Sequence, residues 1–150
     1  MAIFYKKFNE KFLEGVMELE KAWVIEDITY GIVESGKDYF LNVDKNYFFV
    51  AIDKAKIIGY IISEIIYKNE YNIFPKDVKF IRVNDLYVLK EYRSKGIGKK
   101  LLYTTETEAQ NNGINHILLS TATKDTDTII KFYERNGYKI WTTSLFKNIE

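Results

Sequence analysis

The sequence predicts a mixed α/β (α+β) fold in a single domain, on three observations. Apolar segments of strand character near residues 2–6, 47–52, 57–67, 80–88 and 114–121 alternate with segments of helical period near 9–17, 27–41, 97–111 and 126–136. The run from 80 to 121 reads strand, turn, helix, strand, which makes a parallel, right-handed crossover. The 150 residues are 47% apolar and 16% aromatic, enough for one substantial core, and no Pro/Gly/Ser-rich linker or internal repeat divides them. With one or two short strands in 138–150, the expected sheet has six to seven strands, accompanied by four helices.

Each element has a local reason. Residues 2–6 read as a first strand, and Asn9 can cap a helix that places Phe12, Leu13, Val16 and Met17 on one face. A weaker helical segment over 27–41 is interrupted by Gly31 and Gly36. Residues 47–52 and 57–67 form a hairpin around Asp53-Lys54-Ala55-Lys56, and 68–79, with the only proline, Pro75, is a loop. In the next strand Ile81 and Val83 are apolar on odd positions but Leu86 and Val88 on even ones. Alternation slips by one residue near Asn84-Asp85, the mark of a β-bulge. The helix over 97–111 buries Ile97, Leu101 and Leu102 and ends at Asn112-Gly113; the helix over 126–136 stops at Gly137, as a glycine C-cap would stop it.

Composition excludes several kinds of chemistry. A net charge of +1, with only Arg82, Arg93 and Arg135 among 22 basic residues, disfavours nucleic-acid binding. Without Cys there is no thiol nucleophile, disulfide or thiolate metal site, and a single His, at the start of an apolar strand, argues against histidine metal sites and Ser-His-Asp triads. No metal is expected. Nothing reads as a signal peptide or membrane span, so a soluble, cytoplasmic protein without membrane partners is expected.

The most informative stretch runs from Leu86 to Lys100: an apolar strand, a basic glycine-bearing turn, then an amphipathic helix. This order aims free backbone N–H groups and a helix N-terminus at one point, suited to a phosphate-bearing ligand. Gly98 in the first helical turn costs roughly 1 kcal/mol against Ala. Lys99 and Lys100 add charge where the helix dipole is already positive, unfavourable by ~0.3–1 kcal/mol each. Both faults make sense if an anion occupies the spot, although an isolated Gly-x-Gly also fits a solvated basic loop. A P-loop would need Gly at 93 and a hydroxyl at 100, where Arg93 and Lys100 stand, and a dinucleotide fingerprint would need Gly at 101, which is Leu101.

Arg93-Ser94-Lys95-Gly96-Ile97-Gly98 resembles the acetyl-CoA signature of the GNAT superfamily of N-acetyltransferases, Arg/Gln-x-x-Gly-x-Gly/Ala. Asp85-Leu86-Tyr87-Val88 and Tyr92 read as that family's strand and lead-in, and Phe132-Tyr133-Glu134-Arg135-Asn136-Gly137-Tyr138 resembles its second recognisable stretch. The resemblance is firm over 80–103 and 126–138, fair over 46–66 and thin before 45. It implies a GNAT-like fold with a central mixed, strongly twisted sheet whose splayed parallel strand pair forms the acetyl-CoA slot. Cofactor-binding residues would be Leu86, Tyr87 and Val88, as an added strand for the pantetheine, and Arg93, Ser94, Lys95, Gly96, Ile97, Gly98 and Lys99 at the pyrophosphate. Val88 N–H would polarise the thioester carbonyl. Tyr133 would lie near the sulfur and protonate the leaving thiolate; with 12 tyrosines in the chain, a core tyrosine is its alternative. Thr126, also expected to bind the cofactor, stands where the family often has a pantetheine-contacting Asn and can still offer a hydrogen bond at shorter reach; Asn84 stands where polyamine-type members have a Glu base. The base is then Asp85, another acid such as Glu26, Asp27 or Glu64, or a relaying water.

The expected activity is transfer of an acetyl group from acetyl-CoA to a small primary amine by direct attack, with Tyr133 and Asp85 as catalytic residues. Trp23, Glu26, Asp27 and Tyr30 suit a cationic amine, and a solvated helix connection explains them equally well. The alternatives are a protein or peptide N-acetyltransferase, a non-catalytic acyl-CoA-binding module, or a basic nucleic-acid-binding domain. A homodimer is compatible with an exposed C-terminal strand edge.

Overall fold

The computed structural model describes residues 2–150. In chain order they form β1 (Ile3–Lys7), α1 (Leu13–Glu26), α2 (Lys37–Asn42), β2 (Phe48–Asp53), β3 (Lys56–Ile66), β4 (Phe80–Val88), α3 (Ile97–Asn111), β5 (Ile117–Leu119) and α4 (Thr126–Arg135), with short 3₁₀ turns before α1, β2 and α3. The sheet order is β1-β2-β3-β4-β5, antiparallel except for the parallel β4–β5 pair.

Strand alternation divides the core between the two faces of the sheet. From β2, Phe48, Val50 and Ile52 join Val16, Leu19, Phe40 and Tyr60 beneath α1 and α2. Phe49 and Ala51 turn the other way, to Leu101, Leu102 and Phe132 of α3 and α4. Each large side chain fully buried in this way contributes about 1.5–3 kcal/mol of transfer free energy. α1 sits close on the sheet because Gly15 has no side chain: a Cβ there would lie 2.5 Å from Ile57 Cγ1.

Two features of β4 position the site. Ile62 pairs with Asp85 and Ser63 with Val83, so Asn84 is the extra residue of a bulge, where alternation slips in the sequence. The bulge turns Asp85 to the α1/α2 face while Leu86 and Val88 rejoin Val83 on the α3/α4 face. In addition, β5 pairs with β4 only from Ile81 to Val83, and β4 continues to Val88 without it. A gap opens between the parallel strands.

Three expectations are corrected. Among the described residues the sheet has five strands rather than six or seven, because 138–150 form none. With β5 only three residues long there is no ladder for a further strand to extend, and the segment instead makes edge-on aromatic contacts, Trp141 with Tyr71 and Phe146 with Tyr30. Residues 27–36 are not helical. Asp27 ends α1 at φ 57°, Gly31 and Gly36 also have positive φ, and the loop bonds across to the segment after β5 through Tyr30 N–H to Ala122 C=O and Lys124 N–H to Ile28 C=O, both 2.8 Å. The strand expected over 114–121 is only Ile117–Leu119, since Ile114 N–H still bonds back to Ala109 C=O at the end of α3.

Candidate active site

The turn from β4 into α3 presents unpaired donors. Ser94 and Gly96 both have positive φ, 62° and 80°. A non-glycine residue in that region is uncommon and persists only where its surroundings over-determine it. Among the described residues, the backbone N–H groups of Ser94, Lys95, Gly96, Ile97, Gly98 and Lys99 have no backbone partner, α3 has no side-chain cap, and its first turn holds no acid. Lys95, Lys99 and Lys100 are exposed around them. The arrangement is a concave set of N–H dipoles on a helix N-terminus, which suits a diphosphate.

Gly98 has a second role that the motif conceals. A Cβ there would lie 3.2 Å from Phe132 Cζ, so its absence lets α4 approach α3. Arg93 is also placed otherwise than the spacing suggests. Its guanidinium points inward to Glu26, at 2.6 Å for both nitrogen–oxygen contacts, and Nε donates to Val88 C=O at 2.9 Å.

Beyond the bulge, β4 offers backbone to the gap. Leu89 N–H donates to Ile58 C=O at 2.9 Å. Antiparallel ladders alternate, so Tyr87 opposite Tyr60 also faces β3, while the backbone groups of Leu86 and Val88 face away from it. On that side β5 has already ended, so Val88 N–H and both polar groups of Leu86 are free for an extended ligand such as pantetheine.

A cavity of about 370 Å³ fills the gap, lined by Trp23, Tyr30, Asn84, Asp85, Leu86, Leu119 and Tyr133 among others. Asp85 enters from the α1/α2 face, where its Oδ2 accepts the Tyr39 hydroxyl at 2.5 Å. Burial raises its pKa above the ordinary carboxylate range; the Tyr39 bond lowers it, and the Glu20 carboxylate adds to the rise. Tyr133 enters from the α4 side, its ring packed edge-on against Phe132 and Tyr138. Its hydroxyl has no protein partner among the described residues, and burial pushes its pKa up to about 12, so it remains a proton donor at neutral pH. Thr126 lies exposed at the first turn of α4 and does not line the cavity.

The other acids are committed elsewhere. Glu26 is half-enclosed with Arg93, and although burial would raise its pKa, its bonds to Arg93 and Tyr87 lower it overall. Asp27 pairs with Lys124 at 2.7 Å, and Glu64 with Arg82 at 3.0 Å and Asn84 at 2.5 Å. Two residues of the acidic neighbourhood carry no sequence signal: Tyr39, and Glu20, which is buried and holds Ser35 through its N–H (2.8 Å) and hydroxyl (2.6 Å). His116 packs at a tilt against Phe74 and does not line this cavity. No group of His, Cys, Asp and Glu among the described residues could hold a metal ion, and no helix is long and apolar enough to cross a membrane.

Comparison with known proteins agrees with the geometry. Residues 44–140 match the family model described as an acetyltransferase (GNAT) domain. N-alpha-acetyltransferase 30 of Schizosaccharomyces pombe is 31% identical over 131 residues, covering 87% of this chain and 80% of the relative. Among solved structures, AAC(6')-Iy in complex with the bisubstrate analogue CoA-S-monomethyl-acetylneamine superposes with a TM-score of 0.74 at 18% identity, covering 100% of this chain and 99% of that one. Arabidopsis thaliana Naa50 in complex with the bisubstrate analogue CoA-Ac-MVNAL gives 0.73 at 21% identity, covering 100% and 93%. These two share the fold. Family model and curated relative go further, and on them the chain belongs to the GNAT superfamily and is an acetyl-CoA-dependent N-acetyltransferase.

Proposed function

We propose that the protein acetylates a small primary amine by direct attack, with Asp85 as base and Tyr133 as acid. The observation that carries this reading is that Asp85 and Tyr133 reach one cavity from opposite faces of the sheet, where β4 and β5 part. Acetyl-CoA supplies the acetyl group as a thioester, with a thiol as leaving group. The N–H groups of Ser94 to Lys99 hold the diphosphate, Leu86 and Val88 align the pantetheine, and Val88 N–H supports developing charge on the carbonyl oxygen. Asp85, ionised, takes a proton from the acceptor ammonium; the freed amine forms the new C–N bond, and as the C–S bond breaks Tyr133 donates a proton to the departing sulfur and regains one from the nitrogen. Direct attack is favoured over a covalent enzyme intermediate because the chain has no Cys, and His116, its one His, lies outside the cavity.

For the acceptor, Asp85 and the Trp23 ring, which line the cavity, suit a cationic amine, while the Tyr30 ring already holds Lys124 Nζ 5.3 Å from its centroid. A peptide N-terminus is the second reading. Tyr30, in the cavity lining, is 51% exposed, Ile25 and Val33 on the flanking segments are 82% and 73% exposed, apolar surface that a peptide side chain could cover, and the curated relative is an N-alpha-acetyltransferase. Thiol release from acetyl-CoA, measured against a panel of small amines and a panel of short peptides, separates the two. The small-amine reading expects the higher kcat/KM in the first panel; turnover confined to peptides overturns it.

A further inference from the structure

The sequence leaves Glu26 open as a base or as an acceptor-binding acid, and the structure gives it other partners. Its Oε2 accepts from Arg93 Nη1 at 2.6 Å, and its Oε1 accepts from Arg93 Nη2 at 2.6 Å and from the Tyr87 hydroxyl at 2.7 Å. The guanidinium lies 5.2 Å from the Tyr87 ring centroid, and its remaining Nε–H is bound to Val88 C=O. Three pieces of the molecule therefore meet at one carboxylate: the last residue of α1, the end of β4, and the first residue of the phosphate-facing turn.

We infer that Glu26 is a positioning residue for the cofactor, holding Arg93 so that the turn beginning at Ser94 presents its N–H groups to the diphosphate. The inference rests on the reading of that turn as the diphosphate site. The physical case has two parts. Arg93 is fixed at both ends, its backbone N–H on Lys90 C=O at 3.2 Å and its side chain on Glu26 and Val88, and the next residue is the one at φ 62°. A strained backbone of this kind needs an anchored neighbour to persist. The bidentate pair also fixes the direction of the guanidinium, which a single-point contact would not do. With Arg93 neutralised, Lys95, Lys99 and Lys100 are left as the exposed cations around the turn.

The test compares acetyl-CoA with acetyl-pantetheine, which carries the same thioester without the diphosphate. For Glu26→Gln, KM for acetyl-CoA should rise roughly ten- to a hundredfold, the scale of a lost charged hydrogen bond. The kcat/KM for acetyl-pantetheine should fall by no more than about threefold, and the shape of the pH profile of kcat should be kept. Tyr87→Phe removes only the hydroxyl contact to Glu26 and should show the same selectivity to a smaller degree. Equal losses with both thioesters would make Glu26 a general packing residue, and a flattened acid limb would make it the base; unchanged KM for acetyl-CoA means the turn needs no such anchor. Each of these overturns the inference. A wild-type enzyme that handles the two thioesters alike would instead overturn the diphosphate reading beneath it, and the inference with it.

Discussion

The two regions of the proposed site are built from different material. The region proposed for the cofactor is mostly backbone: N–H groups of the turn after β4 and the unpaired edge at Leu86 and Val88. The region proposed for the acceptor is mostly side chains: Trp23 and Asp85 in the cavity lining, with Tyr39 bonded to Asp85. Backbone presentation needs only glycine, a few small or basic residues and the correct strand and helix around them, so its requirements are local and leave a readable pattern. Side-chain presentation depends on contacts between distant elements, such as Tyr39 to Asp85 across 46 positions. Tyr133 belongs to both regions, since its motif is local and the residue lines the cavity.

Removing the Tyr133 hydroxyl should therefore give the largest effect. Tyr133→Phe keeps the ring against Phe132 and Tyr138 and deletes only the donor, so turnover should fall by about two to four decades, the usual range for a general acid. Melting temperature and CoA affinity should change little. Because burial pushes the pKa of this tyrosine up to about 12, the wild-type rate should show no loss from its ionisation at neutral or mildly alkaline pH. Unchanged turnover would return Tyr133 to the core and leave the acceptor side without its acid.

The next effect tests the backbone side. Gly96 is the N-cap of α3 at φ 80°, with nothing within 4 Å of the site a Cβ would take, so Gly96→Val meets no side chain but a conformation that β-branched residues avoid. CoA at about 100 times its Kd should stabilise the wild-type protein by about 2.7 kcal/mol, roughly 5–10 °C for a chain of this length. In the variant that increment should vanish. CoA raising both melting temperatures equally would place the diphosphate elsewhere. Gly98 is a poorer probe, because any side chain there also presses on Phe132.

How much of this was legible follows the same division. The strand over 80–88 and the helix over 97–111 stand where periodicity puts them, and the slip between Val83 and Leu86 foretells the bulge, since a change of side-chain parity has few other meanings. The loop over 27–36 was not legible, because its backbone is satisfied by residues 122 and 124, which no local pattern links to it. The apolar 138–150 segment looks strand-like in composition, but a strand needs a partner edge, and three residues of β5 do not provide one. Arg93 was legible as a motif position and not as the partner of Glu26, 67 residues away.

The remaining effects come from Asp85 and its environment, and they sharpen the comparison most. Glu20 from α1, Tyr39 from α2 and Tyr60 from β3 face this carboxylate, with Glu64 of β3 beyond Tyr39. Burial raises the pKa of Asp85 and Glu20 adds to the rise, so kcat/KM should climb with pH through a midpoint above the ordinary carboxylate range. The same shift has a stability sign. A carboxyl whose folded pKa lies above its unfolded one favours the fold when protonated, and that contribution is lost as pH rises through the folded value. Asp85→Asn keeps an acceptor for the Tyr39 hydroxyl without the charge. With the proposed base removed, turnover should fall by about two decades and the acid limb should disappear, while the melting temperature should exceed that of the wild type at neutral pH, on the order of a few degrees, with the gap closing in acid. Tyr39→Phe acts in the finer direction. The hydroxyl bond lowers the Asp85 pKa, so deleting it should move the acid limb to higher pH and reduce the rate on that limb by about a few-fold, leaving the alkaline plateau in place. Initial rates across the neutral range read both variants. A limb that moves down, or a plateau that falls with it, would mean that Tyr39 shapes the acceptor wall rather than the proton affinity of Asp85.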